Sequence, residues 1–251
     1  MRYDQSFTHT LIGTAQRKRV RTIVEKLLVG NRIEKILEIN CGTGEDAIWL
    51  ANKGVSIVAT DLSPQMVAQA QSKPHPENLH FATADINELP KPLIEEQFDL
   101  IFSNFGGLNC LSSVRLELFF KNAASMLRQN GKLLLVLMPR QTKWEQAYFL
   151  TKTDLSQAFR RKRDCVAAFV DGENVSTYYY NPSEVVAMAD TYFLCDQVNP
   201  IGFFVPPSYL EPYFSRRRKL FWILDRLESR VQNMPRLAPH SDHYCIEFTK
   251  R

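Results

Sequence analysis

Cysteine is scarce in this 251-residue chain and scattered, with five residues at 41, 110, 165, 195 and 245 and no Cys-x-x-Cys spacing. An odd, dispersed set excludes a disulfide framework and a zinc ribbon or finger, and it fits a reducing compartment. No apolar run approaches the roughly 18 residues of a membrane span, and the start, Met1-Arg-Tyr-Asp, has no apolar signal-peptide core. These absences predict a soluble, cytoplasmic protein. A large surplus of charge of either sign is also missing. The net +4 is too small a surplus to imply DNA or RNA as a partner. There are no internal repeats and no low-complexity segments, so residues 1–251 read as a single domain long enough for a substantial core.

Glycine is sparse too, at ten residues, but two of the ten fall in one run, Ile36-Leu-Glu-Ile-Asn-Cys-Gly-Thr-Gly-Glu-Asp46. An apolar strand over 33–39 carries Glu38 near its end, and a loop with Gly42 and Gly44 leads to a helix starting at Glu45. Glycine lacks a Cβ, so the backbone there can lie against a ligand, and the helix start offers unpaired N–H groups. Gly42 to Ala47 also fits the dinucleotide pattern G-x-G-x-x-G/A, which keeps an NAD-dependent oxidoreductase open. Glu38 argues the other way. A carboxylate there repels a pyrophosphate but suits a ligand carrying an ammonium group.

A second short strand, 55–60, ends at Asp61-Leu-Ser-Pro-Gln-Met66. Asp61 follows Gly44 at roughly the 20-residue distance where nucleoside-binding units place an acid on the ribose, and a carboxylate accepts from both ribose hydroxyls. Ser63-Pro64 reads as an N-cap with proline in the first helical position. A third strand, 78–83, leads to Ala84-Asp85-Ile86. A fourth spans 97–103, with Asp99 mid-strand in a structural role. A helix over 113–128, a turn at Asn130-Gly131 and a fully buried strand over 132–138 follow.

These segments, in this order, resemble the class I S-adenosylmethionine (SAM) dependent methyltransferases over roughly residues 33–140. The sequence departs from the usual glycine triplet at Asn40, a residue type that tolerates the left-handed conformation. The resemblance implies a doubly wound α/β fold: a seven-stranded, mostly parallel sheet with the last strand antiparallel, helices on both faces and an inserted α+β substrate cap. It implies SAM as cofactor, S-adenosylhomocysteine as product and no metal. It assigns cofactor contacts to Tyr3, Glu38, Asn40, Cys41, Gly42, Gly44, Asp61, Leu62, Met66, Asp85, Ile86, Ser103, Asn104 and Phe105. The loop Ser103-Asn-Phe-Gly-Gly-Leu-Asn109 is placed where the methyl group should sit, with Asn109 as a candidate to orient substrate. The Asn/Asp-Pro-Pro-Tyr motif of nucleic-acid amino methyltransferases is absent.

Outside the core, Thr14 to Leu28 reads as an amphipathic helix, and residues 1–30, with Tyr3, Phe7 and His9, as a lid. Residues 140–181 and 203–240 read as cap insertions. The first holds helices over 144–150 and 155–161 and a β-hairpin turning at Asp171-Gly172. The second holds a helix over 217–230. A helix over 182–190 and strands over 192–201 and 242–249 complete the pattern. The aromatics of the insertions (Trp144, Tyr148, Phe149, Tyr178, Tyr179, Tyr180, Phe203, Phe204, Tyr209) point either to an apolar or aromatic acceptor or to core packing. Basic runs at Arg17–Arg21, Arg160–Arg163 and Arg216–Lys219 read either as solvated faces or as a rim for an anionic substrate, a carrier protein or RNA. His9, His243 and, after them, His240 are the candidate general bases, with His243 beside Asp242. The expectation is methyl transfer to a hydrophobic or aromatic hydroxyl, possibly carrier-bound. RNA or protein methylation, an NAD-dependent oxidoreductase and a non-catalytic SAM-binding protein are the alternatives. The acceptor and the oligomeric state are not legible.

Overall fold

Short apolar runs bounded by turn residues become strands, and the longer segments between them become helices. The computed structural model describes residues 9–88, 96–170 and 173–251. The strands are β1 (Lys35–Ile39), β2 (Ser56–Asp61), β3 (Leu79–Thr83), β4 (Phe98–Ser103), β5 (Leu127–Leu137), β6 (Val166–Val170), β7 (Glu173–Thr177), β8 (Phe193–Ile201) and β9 (His243–Lys250). The helices are α1 (Leu11–Gly30), α2 (Glu45–Ala51), α3 (Pro64–Gln71), α4 (Ser113–Met126), α5 (Lys143–Thr151), α6 (Leu155–Ala158), α7 (Pro182–Ala189), α8 (Glu211–Phe214) and α9 (Arg218–Val231). Seven strands form one sheet in the order β3-β2-β1-β4-β5-β9-β8, mostly parallel with one antiparallel strand, and β6 pairs with β7 in a separate hairpin.

Two compact units divide the chain. The first comprises Met1–Val29, Val136–Val185 and Gln197–Ile246; the second comprises Gly30–Leu135, Val186–Asp196 and Glu247–Arg251. The second unit holds the parallel strands. Their register puts Ile39 opposite both Thr60 and Ser103, and Asp61 opposite Thr83. The loops after β1, β2, β3 and β4 therefore emerge at one carboxyl edge, the edge where open α/β sheets bind ligands. Asp99 fixes the opposite end. Its Oδ2 accepts the backbone N–H of Glu34 and Lys35 at 2.9 and 2.8 Å, and its Oδ1 accepts from Arg128 at 2.6 Å. This is the structural role its mid-strand position predicts.

Fully buried Ile36, Leu37, Leu100, Ile101, Leu133, Leu134 and Leu135 form the core around these strands. Each such side chain contributes about 1.5–3 kcal/mol relative to exposure. Phe120, Phe193 and Phe248 add a triangle of rings with centroids 6.0–6.1 Å apart. Lys132 Nζ donates to Asp196, Glu247 and Thr249 at 3.0, 3.1 and 2.8 Å. Burial alone would lower its pKa, but the two carboxylates outweigh that and raise it.

The first unit has its own core of Ile12, Ala15, Val205, Phe214 and Phe221, with Trp144 packed against it. Its aromatics stack largely on one another. Trp144 meets Phe214 edge-on at 5.8 Å, Tyr148 lies 5.1 Å from Phe149 and 5.2 Å from Tyr209, and Tyr179 and Tyr180 are buried. Of the two readings of these residues, packing describes them.

Boundaries depart from the sequence expectation in three places. α1 starts at Leu11, because Thr10 caps Gly13 and Glu211 accepts the N–H groups of Leu11 and Ile12 from across the unit. The turn at Asn130-Gly131 lies inside β5 as an irregularity in its pairing with β4, with Asn130 at φ 61°. The helix expected over 155–161 ends at Ala158 and is followed by a 3-10 turn, Arg160–Lys162. Tyr3, Phe7 and the Asp171-Gly172 turn lie outside the described residues. Among the described residues, no helix is long and apolar enough to cross a membrane, and no cluster of three or more His, Cys, Asp or Glu side chains could hold a metal ion.

Candidate cofactor site

The loop after β1 turns through three left-handed residues: Asn40 at φ 57°, Gly42 at 54° and Gly44 at 77°. The two glycines serve different ends. A Cβ built at Gly42 meets no protein atom within 4 Å, so its missing side chain faces open space. A Cβ at Gly44 would lie 2.8 Å from the Phe81 ring and 3.0 Å from Ala70, so glycine there lets α2 and α3 close on β3. The Gly44 N–H is itself bonded to the Cys41 carbonyl at 2.9 Å. Gly44 therefore acts in packing, and Gly42 is the residue shaped for a close ligand.

Asp61 organises this edge. Its Oδ2 accepts the Gly42 N–H at 2.8 Å and its Oδ1 accepts the Ser63 N–H at 2.9 Å. Ser63 in turn caps α3, accepting from the Met66 N–H, with Pro64 in the first helical turn as the sequence predicts. Leu62 between them is 66% exposed, an unusual position for a leucine, while Met66 is half-buried. Asp85 Oδ1 accepts the Asn87 N–H at 2.8 Å, and Ile86 beside it is buried. Glu38 is buried in β1 between Ala59 of β2 and Phe102 of β4. The Cys41 thiol is pushed up by burial first, then by the Glu38 and Asp61 carboxylates, so it stays protonated and is no nucleophile.

The loop after β4 corrects three expectations. Ser103 and Asn109 are fully buried, and Ser103 Oγ accepts from the Asn40 amide at 3.2 Å. Asn109 is enclosed, so it does not present its amide to an acceptor. Asn104 uses both ends of its side chain internally, donating to the buried Asp46 at 2.7 Å and accepting the Phe105 N–H at 2.9 Å. These residues hold the shape of the loop, which carries Phe105 and Gly106 at φ 43° and 74°. Their polarity reads as ligand contact in the sequence because spacing does not reveal burial.

The candidate bases belong to the first unit, whereas every described cofactor candidate belongs to the second. His9 is exposed and lines a cavity of about 610 Å³ with Leu11, Lys18, Arg218, Phe221 and Trp222. His243 is buried, and its Nδ1 lies 3.2 Å from Asp242 Oδ2. That carboxylate is shared. Arg161 donates to Asp242 Oδ1 and to its carbonyl, both at 3.0 Å, and Gln16 donates to Oδ2 at 3.2 Å. Arg161 also reaches Glu145, which pairs with Arg160 as well. The basic run at 160–163 is thus neither a solvated face nor an open rim in its first half. Sequence reading missed Glu145, Gln16 and Glu228, although each is a polar residue set among apolar helix positions.

Burial alone would raise the Asp242 pKa, but the His243 ring, then Arg161 and Gln16, outweigh it and hold the carboxyl below the usual carboxylate range. A carboxyl depressed in the folded state stabilises the fold above its ordinary value of 3.8 and loses that contribution as pH falls below it. Urea melts should therefore show the advantage of wild type over Asp242→Asn shrinking between about pH 5 and pH 2. An advantage undiminished at pH 2 would remove the carboxylate's charge from the account.

Comparison with known proteins agrees with this architecture. Residues 36–131 match the family described as "Methyltransferase domain". A malonyl-[acyl-carrier protein] O-methyltransferase of Enterobacter lignolyticus is 31% identical over 118 residues, 47% of this chain and 44% of that protein. The chain spans less than half the length of the first curated relatives it matches. Among solved structures, the PH0226 protein of Pyrococcus horikoshii superposes with TM-score 0.60 at 16% identity, covering 100% of this chain and 99% of that one. Magnesium protoporphyrin IX methyltransferase of Synechocystis, solved with S-adenosylhomocysteine, gives 0.58 at 14% identity, covering 96% and 85%. With the sheet order, the glycine loop and the Asp61 edge already in place, residues 36–131 match a methyltransferase domain, and the fold is the one seen in S-adenosylmethionine-dependent methyltransferases.

Proposed function

We propose that this chain binds S-adenosylmethionine at the carboxyl edge of β1, β2 and β3 and methylates a hydroxyl of a small apolar or aromatic acceptor. The observation that carries the reading is the convergence of Gly42, Asp61 and Leu62 on that edge. The residues present fit the cofactor. Gly42 faces open space, and each Asp61 oxygen engages one backbone N–H, so a further lone pair remains on each for a ribose hydroxyl. Leu62 offers an exposed apolar surface for the adenine, Asp85 an acid for its amino group, and Glu38 negative charge for the ammonium end.

When bound, the sulfonium supplies an electrophilic methyl carbon. The protein's task is to hold the acceptor in line with it, and positioning of that kind can supply about 7–11 kcal/mol. A hydroxyl acceptor also has a proton to lose, and His9 and His243 remain our candidates to take it, at a gain of typically about 10²–10⁴-fold. The malonyl-carrier relatives favour a second form of the same reading, an acceptor delivered on a carrier protein. None of the five cysteines forms a disulfide, which supports a reducing, cytoplasmic setting.

Calorimetric titration with SAM, S-adenosylhomocysteine and NADH tests the proposal. Micromolar binding of the first two and none of NADH is expected; the reverse would make the chain an oxidoreductase. Asp61→Ala should weaken SAM by about 1–3 kcal/mol. Unchanged affinity in a folded variant would remove Asp61 from the site.

A further inference from the structure

Residues 211–236 segregate charge in a way the proposed reaction does not use. Each of the three acids in this stretch is engaged inside the first unit. Glu211 accepts the N–H groups of Leu11 and Ile12, Asp225 pairs with Arg19 at 2.8 Å, and Glu228 accepts four backbone N–H groups. The cations point the other way. Arg216, Arg217, Arg218, Lys219, Arg226 and Arg230 are all exposed. No carboxylate of their own segment is left to neutralise them.

Apolar side chains stand among these cations. On α9 the inner face buries Phe221 and Glu228, while Lys219, Ile223, Arg226 and Arg230 recur at helical spacing on the outer face. Trp222 is 59% exposed, Ile223 50% and Leu220 40%. The Arg226 guanidinium lies 5.4 Å from the Trp222 ring, and Arg217 lies 3.9 Å from that of Tyr213, itself 47% exposed. Solvated helix faces carry cations with acids between them and do not leave a tryptophan and an isoleucine beside them in water.

We propose that the outer face of α9 docks on an anionic bilayer surface, as a peripheral contact that spans nothing. Cations at the phosphate level, with tryptophan and aliphatic side chains dipping among the headgroups, are the chemistry of an interfacial helix. A nucleic-acid backbone would satisfy the arginines but leave Ile223 and Leu220 without a place. The inference goes beyond methyl transfer and does not depend on it.

The full chain is sedimented with vesicles of phosphatidylcholine alone and of an equal mixture with phosphatidylglycerol, while tryptophan emission is recorded. Binding to the mixed vesicles only, weakened by salt and accompanied by a blue shift that Trp222→Phe abolishes, is expected. Arg226→Gln with Arg230→Gln should lower the affinity about 30-fold, at about fivefold per cation, with an unchanged thermal melt. No binding to mixed vesicles at low salt overturns the proposal, as does full affinity in the double variant. Charge-dependent binding with no change in Trp222 emission also overturns it, and points to the acidic surface of a protein partner instead. None of these readouts involves SAM, so failure here and failure of the methyltransferase reading are separate results.

Discussion

Replacing Glu228 by alanine should cost about 4 kcal/mol or more, a large share of the 5–15 kcal/mol by which domains are ordinarily stable. The carboxylate is fully buried on α9, and it takes the N–H groups of four successive residues. Gly202 and Phe203 donate to Oε1 at 2.8 and 3.2 Å, Phe204 and Val205 to Oε2 at 2.5 and 3.0 Å. A single charge thus satisfies a whole turn of backbone after β8. Without it, the Gly202 and Val205 N–H groups stay buried with no acceptor, at about 1–3 kcal/mol each. Glutamine separates charge from shape. It keeps one oxygen for two donors but turns an NH₂ toward the other two, so Glu228→Gln should fall between alanine and wild type. Urea denaturation followed by circular dichroism reads the order directly. A glutamine variant as stable as wild type would mean that the charge contributes nothing.

Gly42→Val should remove SAM binding by about 100-fold or more while leaving a folded protein. Two effects combine. The valine Cβ projects into the open space that the loop presents to a ligand, and it meets no protein atom there. The backbone at φ 54° also disfavours a branched side chain, by about 1–2 kcal/mol, so the loop is pushed to relax. Relaxation would pull the Gly42 N–H from Asp61, disturbing the acid assigned to the ribose. Gly42→Ala shares most of the backbone strain but has less bulk, so an intermediate loss is expected. Calorimetry with S-adenosylhomocysteine, beside a thermal melt, checks both. Retained affinity in a folded valine variant would mean that no ligand approaches the loop at residue 42.

The strands, their order of use and the residues at their ends were readable because each depends on short-range chemistry. A buried parallel strand needs an apolar run, a strand-to-helix turn needs residues that accept positive φ, and a helix start needs a cap. Ser63 and Pro64 show the last of these within two residues. What depends on the meeting of distant segments was not readable. Arg161 sits in a run of cations that looks solvated, and only the fold supplies Glu145 and Asp242 to bury it. Ser103, Asn104 and Asn109 look like ligand contacts because they are polar and lie in a glycine loop, yet Asp46 and Asn40 take up two of the three side chains and burial encloses the third. The insertion aromatics similarly resolve into mutual stacking once α5 and the segment around Tyr209 are side by side.

Asn40 and Gly107 bear on how this loop can change over time. A side chain at 107 would land inside the Asn40 amide group, so the two positions occupy one volume. Any substitution at 107 is blocked while asparagine stands at 40. Glycine at 40 must come first, because the Cβ of residue 40 alone would lie 2.5 Å from one at 107, and that change gives up the bond to Ser103 before any gain can be had at 107. The route between the two arrangements is therefore one-way in order, with its low point at the first step. Lineages that keep asparagine at 40 should keep glycine at 107, and variety at 107 should arise only where 40 has already become glycine.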